Sequence, residues 1–185
     1  MPAPVRKSIS GEWHISMLKF ERQGMMNKNE ITSWLGQWEI IFRDAQGREL
    51  WRGTINPNLI TDAGLNMFRD ILRGTITDGK IKYVALGNNA TAPANGQTQL
   101  VAEQFRKLVT SQNPDPVIAG KLYTEVYVSD TEANSFKCEE IGWFAGAGAT
   151  GTINTGIMIA RVLYSRQKSN TESWTIRRTD TISRG

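Results

Sequence analysis

The residues Trp38-Glu39-Ile40-Ile41-Phe42-Arg43, then Asp44-Ala45-Gln46-Gly47, then Arg48-Glu49-Leu50-Trp51-Arg52-Gly53-Thr54-Ile55 read as a β-hairpin. Asp opens and Gly closes a four-residue connection, and Gly tolerates the positive φ that such loops demand. In the first arm Trp38, Ile40 and Phe42 alternate with Glu39, Ile41 and Arg43, so one face is wholly apolar. That face needs a cover, and the segments downstream supply candidates. Ile81–Gly87, Leu122–Ser129, Phe136–Phe144, Gly156–Tyr164 and Trp174–Ile182 all carry strand patterns with turn residues between them. One convincing helix interrupts them, Thr61–Gly74, with Thr61 or Asp62 to cap its start and Gly74 to end it. Leu65, Phe68, Ile71 and Leu72 are its expected buried stripe, and a short helical turn is expected at Leu100–Phe105. Strand after strand with one helix argues for a mainly β fold, an antiparallel β-sandwich or barrel-like sheet, rather than alternating βαβ units.

Outward from this region the chain has 185 residues, enough for one full core, so residues 34–185 are expected to form one domain. Residues 1–33 form a leader without clear period, expected to be an N-terminal assembly arm. Its Trp13, Met17, Phe20, Met25 and Met26 cannot bury themselves, so they must dock on the domain or on another chain, and they are the candidate protein-interface residues. A disordered tail is the competing reading. Apolar residues at 39% and charged residues at 22% describe an ordinary globular composition. No apolar run approaches a membrane span and the start lacks a secretory signal, so no membrane partner is expected and a cytoplasmic origin is.

The net charge of +4 could suggest nucleic acid, but 22 basic residues are dispersed among 18 acidic ones with no basic block. Arg177-Arg178 and Arg106-Lys107 are expected on solvated strand faces. Catalytic sites are not expected either. His14 is the sole histidine, which excludes histidine triads and two-histidine metal sites, and Cys138 is the sole cysteine, read as a small buried residue. Glu139-Glu140 is the only adjacent acidic pair, and neighbouring strand residues point to opposite faces, so these carboxylates should diverge, one solvated and one bonded at a strand edge. Gly146-Ala147-Gly148-Ala149-Thr150-Gly151 echoes a phosphate loop without its Lys-Ser/Thr ending, and a flexible hairpin tip is the expectation. No cofactor or metal is implied.

Three further stretches carry a family likeness: Asn58-Leu59-Ile60-Thr61-Asp62-Ala63-Gly64-Leu65-Asn66, Ile81–Gly87, and Thr98-Gln99-Leu100-Val101-Ala102-Glu103-Gln104-Phe105-Arg106. Together with Cys138-Glu139-Glu140-Ile141-Gly142-Trp143-Phe144 and Thr155–Arg161, their succession resembles structural proteins of tailed bacteriophages, including tail-collar domains that attach tail fibres. The likeness runs over about residues 55–182 and rests on order and spacing. It implies a non-enzymatic virion building block, assembled in the host cytoplasm, that contacts copies of itself as a homo-oligomer and other virion proteins. The absence of a fibre shaft or receptor-binding tip favours a tail, neck or collar adaptor or a capsid decoration (cement) subunit. On the residues alone Gly64 allows close packing of the helix start, and Glu103 with Arg106 can clamp a loop to a strand edge. A carbohydrate-binding module for host recognition, built on exposed Trp and Tyr, remains the alternative function class.

Overall fold

The computed structural model describes residues 31–55 and 58–184. The expected hairpin is there: β1 (Ile31–Asp44) and β2 (Glu49–Ile55) pair antiparallel. Asp44 closes the turn by accepting from the backbone N–H groups of Gln46 and Arg48, and Gly47 takes φ of 78°. After β3 (Leu59–Ile60) and the helix α1 (Asp62–Leu72) come β4 (Ile81–Gly87), β5 (Glu103–Leu108) and β6 (Ser111–Pro114). The chain closes with β7 (Lys121–Val128), β8 (Lys137–Ala145), β9 (Ile157–Gln167) and β10 (Glu172–Arg184). Two antiparallel five-stranded sheets result, with strand orders β2-β1-β10-β7-β6 and β3-β9-β8-β4-β5. They face each other as a β-sandwich.

The apolar face of the hairpin is the core face of the first sheet, as its alternation requires. Trp38 and Ile40 are completely buried and Phe42 nearly so, against Val84, Leu86, Ile141 and Trp143 of the second sheet. The Trp38 and Trp143 rings meet edge to face with centroids 5.9 Å apart, which ties the two layers at their centre. Ile41 points to the opposite face yet is also buried. Register places Arg52 and Thr175 beside it, and the ion-paired Arg52, Glu39 and Arg177 lay their stems over that face.

The helix begins where expected. Thr61 caps it by accepting from Gly64 N–H, and Gly74 follows its end with φ of 72°. Its buried face differs from the expected stripe: Gly64 and Met67 are buried, whereas Leu65, Ile71 and Leu72 are exposed and Phe68 is half-buried against Trp34. The helix is rotated because Gly64 sits on the backbone of β9. A Cβ at Gly64 would lie 2.7 Å from the Ile159 carbonyl oxygen, so the glycine sets the contact line.

Two other expectations fail for identifiable reasons. Leu100–Phe105 forms no helical turn; Glu103–Leu108 pairs with β4, and the N–H groups of Val101 and Ala102 go to a side chain instead of a helical ladder. Strands β3 and β6 span two and four residues, too short for an alternation to register. The strand β1 opens at Ile31, inside the stretch assigned to the arm.

Candidate functional site

The side chains that carry chemistry gather on the outer face of the second sheet, in the central strand β8. A register shift between Cys138 and Glu140 breaks the alternation of β8: Cys138, Ile141 and Trp143 all enter the core between the sheets, whereas Glu140 points outward with Phe144. The expected divergence of Glu139 and Glu140 is corrected at this bulge: Cys138 faces the core, so Glu139, beside Lys137 and Ser165, leaves the core side together with Glu140. Glu139 is held by Lys137 and Ser165, which keep its carboxyl below the usual range. The reading of Glu140 as an edge residue is corrected: β8 lies in the middle of its sheet and Glu140 is completely buried.

Glu140 is buried because it is fully engaged. Its Oε1 accepts from Ala102 N–H at 2.8 Å, and its Oε2 accepts from Val101 N–H at 3.1 Å and from Arg161 Nε at 2.8 Å. Arg161, also buried, donates its remaining groups to the Thr91 carbonyl and to Gln97 Oε1. The pair thus nails the long connection between β4 and β5 down at Thr91, Gln97, Val101 and Ala102. Gly87 makes room for it, since a Cβ there would come within 2.5 Å of Glu140 Oε1. Leu100 is held beneath the connection, completely buried with Ala85, Phe144 and Met158 in a second small apolar cluster.

A second buried pair continues this arrangement. Glu103 and Arg106 meet at 2.7 Å with both side chains sequestered. Arg106 Nη1 donates to the Thr155 carbonyl at 2.6 Å, and Glu103 Oε2 accepts from Asn154 N–H at 3.0 Å. The expected clamp exists, and the loop that it grips is the β8–β9 connection. That connection is a hairpin tip, but not a loose one, and the backbone donors of Thr150 and Asn154 are already used. The arginine guanidinium also lies 4.1 Å above the Phe144 ring.

The arginines correct the sequence reading in one respect. Arg106 and Arg178 are buried, not solvated. Arg177 faces out toward Glu125 and Glu39, while Arg178, one residue on, turns into the sandwich and pairs with Asp180 at 2.6 Å. Asp180 also accepts from Trp34 Nε1 at 2.7 Å. Strand alternation puts one of any two adjacent arginines inside, and a neighbouring acid makes that tolerable.

Cys138 is buried as expected, and burial pushes its thiol up to about 12. Glu140, Arg161, Glu103 and Arg106 each spend their polar atoms on chain atoms of the same subunit, so their chemistry is structural: they immobilise two loops over one sheet. Sequence reasoning had the Glu103–Arg106 clamp but missed Arg161 and the depth of Glu140; the paired signal was an acid and a base on neighbouring apolar strands. Among the described residues no group of three metal-ligating side chains occurs. The five candidate interface residues Trp13, Met17, Phe20, Met25 and Met26 lie outside the described residues.

A separate feature lies at the end of the sandwich where β1 begins. A cleft of about 310 Å³ opens between α1 and the first sheet, lined by Trp34, Met67, Phe68, Ile71, Leu122 and Ile182 among others. Lys80, Gln112 and Asp180 are its polar lining side chains. Comparison with protein-family models, with curated proteins and with solved structures finds no match to this chain.

Proposed function

We propose that the chain is a non-enzymatic structural subunit of a tailed-phage particle, an adaptor of tail, neck or collar that holds neighbouring virion proteins or fibres. One observation carries the reading. The motif residues behind the phage resemblance, Gly64, Gly87, Glu103, Arg106, Glu140 and Arg161, are the same residues that lock two loops and the helix onto the second sheet. Their job is to make a rigid block, which is what a building unit requires. Apolar side chains left in water support the same view: Val117 is 88% exposed, Leu72 73% and Leu35 59%.

The glycan-binding alternative draws less support. Trp38, Trp143 and Trp174 are completely buried and offer no face to a sugar; Trp51 and Tyr127 are exposed, but Trp51 has one ring face stacked on Phe42. No described helix is long and apolar enough to cross a membrane.

Removal of residues 1–30 tests the proposal, because it leaves β1 and its pairing with β10 intact. The expected product melts like the full chain but no longer enters phage particles assembled in its presence. A truncated chain that is incorporated normally, or a full chain that joins no particle, refutes it.

A further inference from the structure

We infer that the cleft beside α1 is the socket for the leader segment Trp13–Phe20 of a second copy of this chain. The inference rests on the proposed role as an assembly subunit and adds the surface through which two copies hold each other.

The cleft is apolar where it matters. Trp34, Met67, Phe68, Ile71, Leu122 and Ile182 face it from one helix and three sheet strands, and the Phe68 and Trp34 ring centroids lie 6.0 Å apart. At about 310 Å³ it sits at the small end of binding clefts, suited to one or two large side chains. Its depth is fixed by a built polar floor, since Asp180 is held by both Trp34 Nε1 and Arg178. Apolar residues next in the chain to its lining stand in water: Leu72 beside Ile71, and Val117 and Ile118 in the turn before Gly120. An apolar cleft with an apolar rim calls for an occupant that covers both.

The chain itself contains that occupant. Residues 1–30 precede β1, and within Trp13–Phe20 they carry five large apolar side chains, Trp13, Ile15, Met17, Leu18 and Phe20. The leader joins the domain at Ile31, three residues before the cleft-lining Trp34, so the root of each arm and the socket share one end of the subunit. From Phe20 to Ile31 an extended chain spans at most about 36–40 Å, well beyond the roughly 15 Å radius of gyration of a domain this size. The arm is therefore long enough to reach a neighbour's cleft as well as its own. A second copy brings with it the further surface that the exposed Leu72, Val117 and Ile118 need, which a single returning segment does not.

Cysteine trapping tests this on the full chain, because the buried native Cys138 stays out of the reaction. One chain carries Met17→Cys; a second carries Ile71→Cys or Lys80→Cys at the cleft rim, or Ala45→Cys at the distant β1–β2 turn as control. Oxidation of the mixtures should give at least tenfold more interchain disulfide with Ile71→Cys and Lys80→Cys than with Ala45→Cys. Adding Trp13→Ala and Phe20→Ala to the first chain should remove that excess without moving the melting temperature. Equal yields at all three sites overturn the inference. So does a doubly substituted Met17→Cys, Ile71→Cys chain that closes only on itself at every dilution, which would place the leader in its own cleft. Failure of the virion reading looks different: trapping succeeds, but the trapped oligomer enters no particle.

Discussion

Replacing Glu140 by alanine exposes how the second sheet keeps its loops. The substitution strands Arg161 as a buried charge and leaves the N–H groups of Val101 and Ala102 without their acceptor. Breaking a buried ion pair by removing one partner costs about 3–5 kcal/mol, and each orphaned donor could add about 1–3 kcal/mol, less where water enters. Taking the pair alone, a chain of this length should melt about 6–20 °C lower, at about 2–4 °C per kcal/mol. Glu140→Gln should fall between, since it retains one acceptor and loses the charge. Arg161→Met alone should cost a similar amount by leaving the Glu140 carboxylate unpaired, but the double variant Glu140→Gln, Arg161→Met should cost less than the sum of its parts. Urea unfolding of the four proteins measures the coupling, and amide exchange at Val101 and Ala102 reports whether the loop has come free. A Glu140→Ala loss below about 1 kcal/mol, or strict additivity in the double variant, refutes the claim that this pair holds the β4–β5 connection.

Gly64→Ala gains about 1 kcal/mol of helix propensity but drives a methyl group to 2.7 Å from the Ile159 carbonyl, so overpacking at about 1–3 kcal/mol should decide the sign; a variant more stable than the parent counts against the close approach. Cys138, pushed up to about 12 by burial, should resist a thiol reagent at pH 8 in the folded chain and react fully in denaturant; rapid native labelling would contradict the packing. Asp115 is lowered to about 2 by the Ile118 N–H, the Tyr123 hydroxyl and the Val117 N–H. A depressed folded value means its support is complete above the ordinary 3.8 and is lost as pH falls through about 2, so the β6–β7 turn should loosen over that window. A carboxyl titration by NMR centred near 3.8, or a window unchanged in Asp115→Asn, would disprove it.

The architecture was legible wherever alternation was strong. Trp38, Ile40 and Phe42 announce a buried face, and the five longer downstream strands fall close to where their patterns place them. Legibility failed where a tertiary contact outvoted a local pattern. The apolar periodicity of α1 points to Leu65 and Leu72, yet the backbone of Ile159 presses on Gly64 and turns the helix. Val101-Ala102-Glu103 has the composition of a helical turn, but a carboxylate 38 residues downstream of Ala102 takes its amides. The candidate site failed for a related reason. Arg161 reads as solvated unless its partner is known, and Glu140 lies 21 residues away on another strand; Arg178 has Asp180 two residues on, but which of two adjacent arginines turns inward depends on the sheet it joins.

The two regions of the sandwich also suggest how assembly would proceed if the arm occupies the cleft. The one or two large side chains that the cleft can hold contribute about 1.5–6 kcal/mol, while association of two bodies costs an estimated 4–15 kcal/mol before the arm itself is ordered. The socket adds little ordering cost of its own, because Arg178, Asp180 and Trp34 hold its floor in place before anything arrives. One arm in one socket thus falls short on its own. Closure changes the balance: when each subunit gives an arm and receives one, the last contact forms within an object already held together, at an effective concentration set by the tether. Subunits of this kind remain separate when dilute and assemble steeply once a closed set can form, and sedimentation across a hundredfold concentration range should show monomer giving way to one closed species with little of intermediate size. A smooth ladder of dimers, trimers and larger species would mean that the contacts are independent and that arm and socket are not exchanged in a ring.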